Sequence, residues 1–257
     1  MALVTTPAIV LQTYRYSETS KVVRLATREL GVQSAIAKGV MRPKSRFGAG
    51  LEILGEGTAQ LYYRETRDLQ TLGEFELEVL RHELARDLAR FAGATALAEV
   101  MLKAAPPAAL PAAYETLVSG LDALVSVPPA DVDAAAVRAL WRLLGVLGFE
   151  PALVACVRDG TPLDPDPSDA VPFSASEGGA FCPSCAPPNP PTRLPPQAYR
   201  DLVTLGAGNG GGALPTLDAA HAAAHRRLVV RFARYHVSEP ASLPALDFWE
   251  RRPWSAT

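Results

Sequence analysis

The sequence predicts an α+β protein: a small N-terminal β-barrel, then a mostly α-helical part that carries a cysteine-bearing insert. Three observations predict it. The first 80 residues hold five short runs rich in β-branched and aromatic residues. Beyond Val79 the apolar residues recur at helical spacing. Residues 151–200 then hold 12 of the 23 prolines, no histidine, and all three cysteines, two of them as a pair.

The strands come first. Ala8 to Tyr14 opens the β part. Lys21 to Thr27 partly alternates and ends at Arg28-Glu29-Leu30-Gly31, a turn with glycine available for positive φ. Gln33 to Ala37 is a third candidate, stopped by Gly39. Lys38 to Gly50 has no apolar period, one proline and three glycines, and reads as a loop. Leu51 to Tyr63 and Leu69 to Val79 complete the set. Five strands in about 80 residues with a long loop fit the five-stranded OB-fold barrel, so residues 1–80 are expected to form an OB-fold domain.

Helices follow. Leu80, Leu84, Leu88 and Phe91 begin a helical repeat that runs to Leu102 and ends at Pro106-Pro107. A second helix runs from about Pro111 to Val127, a third from Val132 to Leu147, and a further one from Ala222 to Val237. Residues 81–257 therefore read as a helical domain. Residues 151–195 form a Pro-rich insert within it that cannot hold a regular core without a staple.

Composition bounds the function. The chain has 257 residues, 48% hydrophobic and 20% charged, which excludes a wholly disordered protein. Three cysteines make no disulfide framework, so a reducing compartment is expected. No apolar run approaches the roughly 18 residues of a membrane span, and the start does not read as a signal peptide; the expectation is a cytoplasmic protein without membrane contact. Overall charge is near neutral, with 25 Lys+Arg against 27 Asp+Glu, but its distribution is uneven. From Arg15 to Arg46 there are eight cations against Glu18 and Glu29 alone, and three of the four lysines fall between positions 21 and 44. Such a run is either a polyanion surface or a solvated face. His221 to His236 holds Arg226, Arg227, Arg231 and Arg234 with no acid.

The motifs differ in the chemistry they can support. Cys182-Pro183-Ser184-Cys185 is a knuckle that, with Cys156 and Asp159, could make a tetrahedral zinc site; the alternative is a vestigial one. Aspartate stands where a fourth thiolate is expected. His221 and His225 have helical ligand spacing but lack the HExxH glutamate, and read as partly exposed polar positions. Gly206 to Gly211 matches GxGxxG without a preceding strand, so it reads as a flexible helix–helix connection. No nucleophile–base constellation stands out, which argues against an enzyme.

The stretch from Ala8 to Leu77 resembles the bacterial RecO family of recombination mediators. The specific parts are Tyr14-x-x-Ser17-Glu18-x-Ser20-Lys21, the turn Gly31 to Gly39, the basic Arg42-Pro43-Lys44-Ser45, and Leu51-Glu52. Weaker likeness continues through Leu143 to Phe149 and Gly178-Gly179-x-x-Cys182-x-x-Cys185. The resemblance implies an OB-fold, a helical C-terminal domain and, in many members, a zinc knuckle. It implies a non-enzymatic DNA repair and recombination protein, cytoplasmic and nucleoid-associated. Such a protein binds single- and double-stranded DNA, anneals complementary strands, and with RecR helps load RecA onto strands coated by single-strand binding protein. On this reading Arg15, Lys21, Arg24, Lys38, Arg42, Lys44 and Arg46 are the expected phosphate contacts, with Tyr14, Tyr16 and Phe47 available for stacking. Arg226, Arg227 and Arg231 are expected either to extend the DNA path or receive the acidic tail of single-strand binding protein, or else to cap and pair locally on a structural helix. Two rivals stay open: an RNA-binding OB-fold protein, and a metal-dependent hydrolase using Cys156, Asp159, Cys182 and Cys185.

Overall fold

Five strands close into a barrel at the N-terminal end of the chain: β1 (Ala2–Arg15), β2 (Lys21–Thr27), β3 (Gly31–Ala37), β4 (Glu56–Tyr63) and β5 (Leu69–Val79). The structure, a computed structural model, describes residues 2–42, 45, 47, 51–206, 212–237 and 242–255. The strand order is β1-β2-β3-β5-β4, every pairing antiparallel except β3 with β5. That is the OB-fold arrangement. Period-two alternation supplies the interior: Ala8, Val10, Val23, Leu25, Ala35, Ala37, Ala59, Leu61, Leu72 and Phe75 are buried there.

β1 starts well before Ala8, because Ala2 to Ile9 pair with Tyr63 to Glu56 of β4. Its second half pairs with β2, and between the halves Leu11 is an extra residue: Val10 faces Leu25 but Gln12 faces Arg24. This bulge switches parity. Ala8 and Val10 point into the barrel, whereas beyond Leu11 it is Thr13 that pairs with the inward Val23, and Gln12 and Tyr14 point outward. The fourth run is shorter than its composition suggests. Strand begins only at Glu56, since Leu51 to Leu54 form a turn in which Leu54 has positive φ and donates its N–H to the Val10 carbonyl (2.8 Å).

The expected helix over 80–102 is interrupted. α1 (His82–Arg86) stops at Asp87, whose backbone is extended and whose carboxylate accepts the Arg90 N–H (2.9 Å), capping α2 (Leu88–Ala104). α3 (Pro111–Ser126) and α4 (Val132–Val146) pack on α2. Buried Arg90 donates to the carbonyls of Leu124, Val125 (3.1 Å) and Val127 (2.8 Å), satisfying the unpaired acceptors at the end of α3. α5 (Pro196–Gly206), α6 (Ala219–His236) and α7 (Pro244–Arg251) complete the bundle. Glu99 of α2, its pKa raised by burial, accepts the Leu246 N–H (2.9 Å) at the start of α7.

Between α4 and α5 the insert forms a small sheet of β6 (Val171–Ser174), β7 (Gly179–Ala180) and β8 (Thr192–Leu194), in the order β7-β6-β8. It borrows the helical core through Leu153, Val171, Phe173 and Leu194, and it holds a separate cluster of Cys156, Phe181 and Cys182.

The helical core extends onto the outer face of the barrel. Ile9, Leu11, Ala26 and Val32 leave the outer barrel face to join the helical cluster. Gly31, at φ +67°, lies so close to the carbonyls of Pro106 and Ala108 that no Cβ fits. Buried Arg81 bridges Glu56 of β4 (2.7 Å) and Asp122 of α3 (2.7 Å), and the Tyr114 hydroxyl donates to Glu56 (3.3 Å).

Candidate functional site

The β1–β2 turn brings Arg15 opposite Lys21, and Lys21 opposite Ala37, at one rim of the barrel. Residues after β3 fold onto this turn, the Met41 N–H donating to the Thr19 carbonyl (3.1 Å). Lys38 and Arg42 are thereby carried to the same rim, both exposed. Arg24 lies on the outer face of β2, with its Nε buried and without a partner. Among the described residues none of Arg15, Lys21, Arg24, Lys38 and Arg42 has a carboxylate partner, whereas Arg28, Arg81, Arg158, Arg200, Arg226, Arg234 and Arg252 all do. Lys44 and Arg46 lie outside the described residues. Phe47 corrects its expected role: it is buried in the barrel core, so its ring cannot stack on a ligand.

Strand register exposes a feature that no single segment of the sequence displays. Tyr14 pairs with Val22, Val22 with Ile36, Ile36 with Thr71 and Thr71 with Tyr62. These five residues form a continuous row across all five strands on the outer face, with an exposed tyrosine at each end, 47% for Tyr14 and 41% for Tyr62. The next row on one side runs Gln12–Arg24–Ser34–Leu69. On the other side of Tyr62 come Gln60–Glu74 and Thr58–Glu76, where exposed acids gather. Alternation within β4 gives an outward Tyr62 once Ala59 and Leu61 are placed inside; the assembly of the row depends on how the strands pair.

The second basic run divides. Arg227 and Arg231 are exposed on α6, Arg231 lying 3.4 Å from the Thr192 hydroxyl of β8. Arg226 turns inward: it is buried, 3.2 Å from Asp133 and against the Trp249 ring, because its position on α6 faces α4 and α7. A ligand contact by Arg226 is therefore not compatible with this packing. His225, expected to be partly exposed, is instead buried, and desolvation lowers its pKa despite Asp201 nearby. His221 is exposed and bonded to Asp218 (2.8 Å).

Cys156, Asp159, Cys182 and Cys185 converge so that one donor atom from each lies within 4.8 Å of the others. Two turns arrange this. The Cys156 carbonyl accepts the Gly160 N–H (2.9 Å), with Gly160 at φ +72°, and the Cys182 carbonyl accepts the N–H groups of Cys185 (3.2 Å) and Ala186 (3.1 Å). One Asp159 oxygen accepts the Thr161 N–H (3.0 Å), while the other meets the thiols of Cys182 (3.6 Å) and Cys185 (3.2 Å). The Thr161 N–H, then the Cys156 and Cys185 thiols, hold the Asp159 carboxyl well below the usual carboxylate range. The hydrogen bond to Asp159 pushes Cys185 up to about 12. Burial raises the Cys156 thiol, but the N–H groups of Cys182, Asp159 and Arg158 more than offset it and leave it below its ordinary value. Donor types and spacing fit tetrahedral zinc, with Zn–S near 2.3 Å and Zn–O near 2.0–2.2 Å. Arg158, paired with Glu177 (2.9 Å), donates to the Cys185 carbonyl (3.0 Å) and lies over Phe181, bracing the second turn.

A groove of about 680 Å³ lies beside α3 and α4, lined by Ser119, Trp141 and Arg142 among others. At its edge the two terminal nitrogens of Arg138 donate to the carbonyls of Gly212 (2.7 Å) and Ala213 (2.8 Å), while its Nε is buried without a partner. No helix among the described residues is long and apolar enough to cross a membrane.

Comparison with known proteins agrees with this geometry. The chain matches the family described as Recombination protein O N terminal over residues 1–80, and that described as Recombination protein O C terminal over residues 85–243. It is 32% identical to the DNA repair protein RecO of Bifidobacterium animalis subsp. lactis, covering 96% of this chain and 100% of that one. It is 33% identical to the DNA repair protein RecO of Symbiobacterium thermophilum over 72% of each chain. The protein of the same name from Anaeromyxobacter sp. strain K is 38% identical over 79% of this chain and 78% of its own.

Proposed function

The chain belongs to the RecO family of DNA repair proteins, and on that premise we propose that it is a recombination mediator: it binds single- and double-stranded DNA, anneals complementary strands, and with RecR helps load RecA onto DNA coated by single-strand binding protein. The observation that carries this reading is the rim of the barrel, where Arg15, Lys21, Lys38 and Arg42 gather without carboxylate partners among the described residues, whereas Arg28 of the same barrel and Arg81 at its junction with the helices are paired. Unpaired guanidinium and ammonium groups on one surface release counterions when phosphates replace them. Arg24 adds a cation on the adjoining face, and Lys44 and Arg46 continue the same loop in sequence. These residues position a backbone rather than read bases, so binding is largely independent of sequence. On this reading residues 1–80 are the DNA-binding domain, and residues 81–257 the helical domain with its insert at 151–195.

Annealing then has a plain physical basis. One strand held at the rim has its charge neutralised, and a second strand approaches against less repulsion. Arg227 and Arg231 of α6 supply a second cationic contact, for that strand or for the acidic tail of single-strand binding protein. Arg226 is left out of this set, because it is committed to Asp133. Cys156, Asp159, Cys182 and Cys185 would hold a zinc ion whose chemistry here is structural cross-linking of the two turns. The work of the protein breaks no bond, and it takes place in the cytoplasm at the nucleoid.

The test is strand annealing of complementary oligonucleotides, bare and coated with single-strand binding protein, across a salt series. Faster annealing that persists on coated strands and fades with salt supports the reading. Combined Lys38, Arg42, Lys44 and Arg46 to Ala changes should flatten the slope of log K against log salt by about 0.7 for each phosphate of a single strand that is no longer neutralised; an unchanged slope overturns the assignment of this loop. Equal affinity for RNA and DNA of one sequence without annealing would point to an RNA-binding OB-fold protein instead.

A further inference from the structure

The row that crosses the barrel is built as a surface for flat rings. Tyr62 lies over Gly73, the extra residue of a bulge in β5: a Cβ at Gly73 would come within 3.0 Å of the Tyr62 Cε2 and 3.2 Å of the Gln60 carbonyl. The Cδ2–Cε2 side of the phenol ring thus lies against backbone that carries no side chain, while the residue remains 41% exposed. Tyr14 stands at the opposite end of the row, turned outward by the bulge at Leu11. Between them Val22 and Ile36 are half-buried and Thr71 is short, so the floor between the two rings is low and largely apolar. Neither hydroxyl has a hydrogen-bond partner among the described residues. At about 4.8 Å per strand, four steps span about 19 Å along the curved face. That length suits the short end of the roughly 4–16 nucleotides that one OB barrel covers.

Resting on the DNA-binding reading above, we infer that this row is a stacking platform for unpaired bases, with Tyr62 and Tyr14 as its two end anchors, which adds affinity for single strands that a duplex does not gain. Stacking requires a free base face, which a duplex does not offer. Charge sets the path. Arg24 occupies the next row, and Arg15 and Lys21 the adjoining rim, where phosphates would lie. Beyond Tyr62 the exposed Glu74, Glu76 and Glu78 repel a phosphate backbone, so the strand runs across the five strands and not down the β4–β5 ribbon. Tyr62 lies outside the cationic segment of the sequence, and its role comes only from its place in the row.

The test uses the full-length chain and short oligonucleotides of mixed sequence, single-stranded and duplex, over a salt series. Tyr62→Ala and Tyr14→Ala should each weaken single-strand binding about tenfold, leave duplex binding within about twofold, and leave the salt slope unchanged because no cation is removed. Since Tyr62 covers Gly73, Tyr62→Leu serves as a second variant: it covers the backbone without an aromatic face and should lose the same single-strand affinity with an unchanged melting temperature. Tyr62→Trp should retain binding, and its fluorescence should be quenched by oligo-dT. Full single-strand affinity in Tyr62→Leu, or equal losses for single strand and duplex, would overturn the platform while leaving DNA binding standing. Failure of the unaltered chain to bind either DNA would overturn both.

Discussion

Asp159 shows what one residue can do to a site that was otherwise legible. The Cys182–Cys185 knuckle announces itself because its spacing is local, and Cys156 joins it across 26 positions through a turn whose glycine is also in the sequence. What could not be read was whether the carboxylate reaches the thiols, since that depends on the Thr161 N–H orienting it. An oxygen ligand is harder than sulfur and suits zinc less well than a fourth thiolate. Asp159→Cys should therefore tighten zinc, and Asp159→Ala should weaken it by at least about tenfold. Competition against a chromophoric chelator measures both, and equal affinities in all three chains would mean the carboxylate does not touch the ion. Phe47 and Arg226 mark the opposite case, residues whose type suited a ligand but whose position serves the core. Phe47 sits in a run without apolar period, so nothing in the sequence said which way it faced; Arg226 lies one turn before Val229 on the apolar face of its helix, and only its charge argued for exposure.

At the level of elements, β5, α3 and α4 fall almost where composition and proline punctuation put them. The first half of β1 and the three short strands of the insert do not. Thr5-Thr6-Pro7 carries no apolar alternation, and β6 to β8 are two to four residues long, below the length at which a period can be counted. The break between α1 and α2 is instructive, because the apolar period runs through it undisturbed. It falls at Asp87 because an aspartate that caps the next helix competes with continuing the previous one. Asp87→Ala should cost about 1 kcal/mol in urea-induced unfolding and Asp87→Asn much less, since asparagine retains the acceptor. Equal losses for the two would mean that the cap contributes nothing and that the helix start is fixed by packing alone.

Across the whole molecule the barrel and the bundle are joined by a buried cation. Arg81 is only 5% exposed in its side chain and holds Glu56, itself 19% exposed, together with the half-exposed Asp122. Arg81→Ala strands the Glu56 carboxylate beside the Tyr114 hydroxyl in a poorly solvated junction and should cost about 3 kcal/mol. Asp122→Ala removes only the solvent-screened partner and should cost under about 1 kcal/mol. Thermal unfolding of the two variants reads the difference, and similar melting temperatures would show that the junction is held by apolar packing rather than by this network. The apolar share of the junction has its own bearing on how the chain is made. Ile9, Leu11, Ala26 and Val32 are finished with their strands by residue 79, but α2, the helix packed on β1 and β2, is not complete until Ala104. At synthesis rates of about 5–20 residues per second, a nascent barrel carries that bare strip for about one to five seconds. Its own N-terminal strand cannot pair with β4 until Tyr63 has emerged. During that interval the strip is a natural place for a chaperone to hold, and a chain truncated at Leu80 would keep it exposed for good.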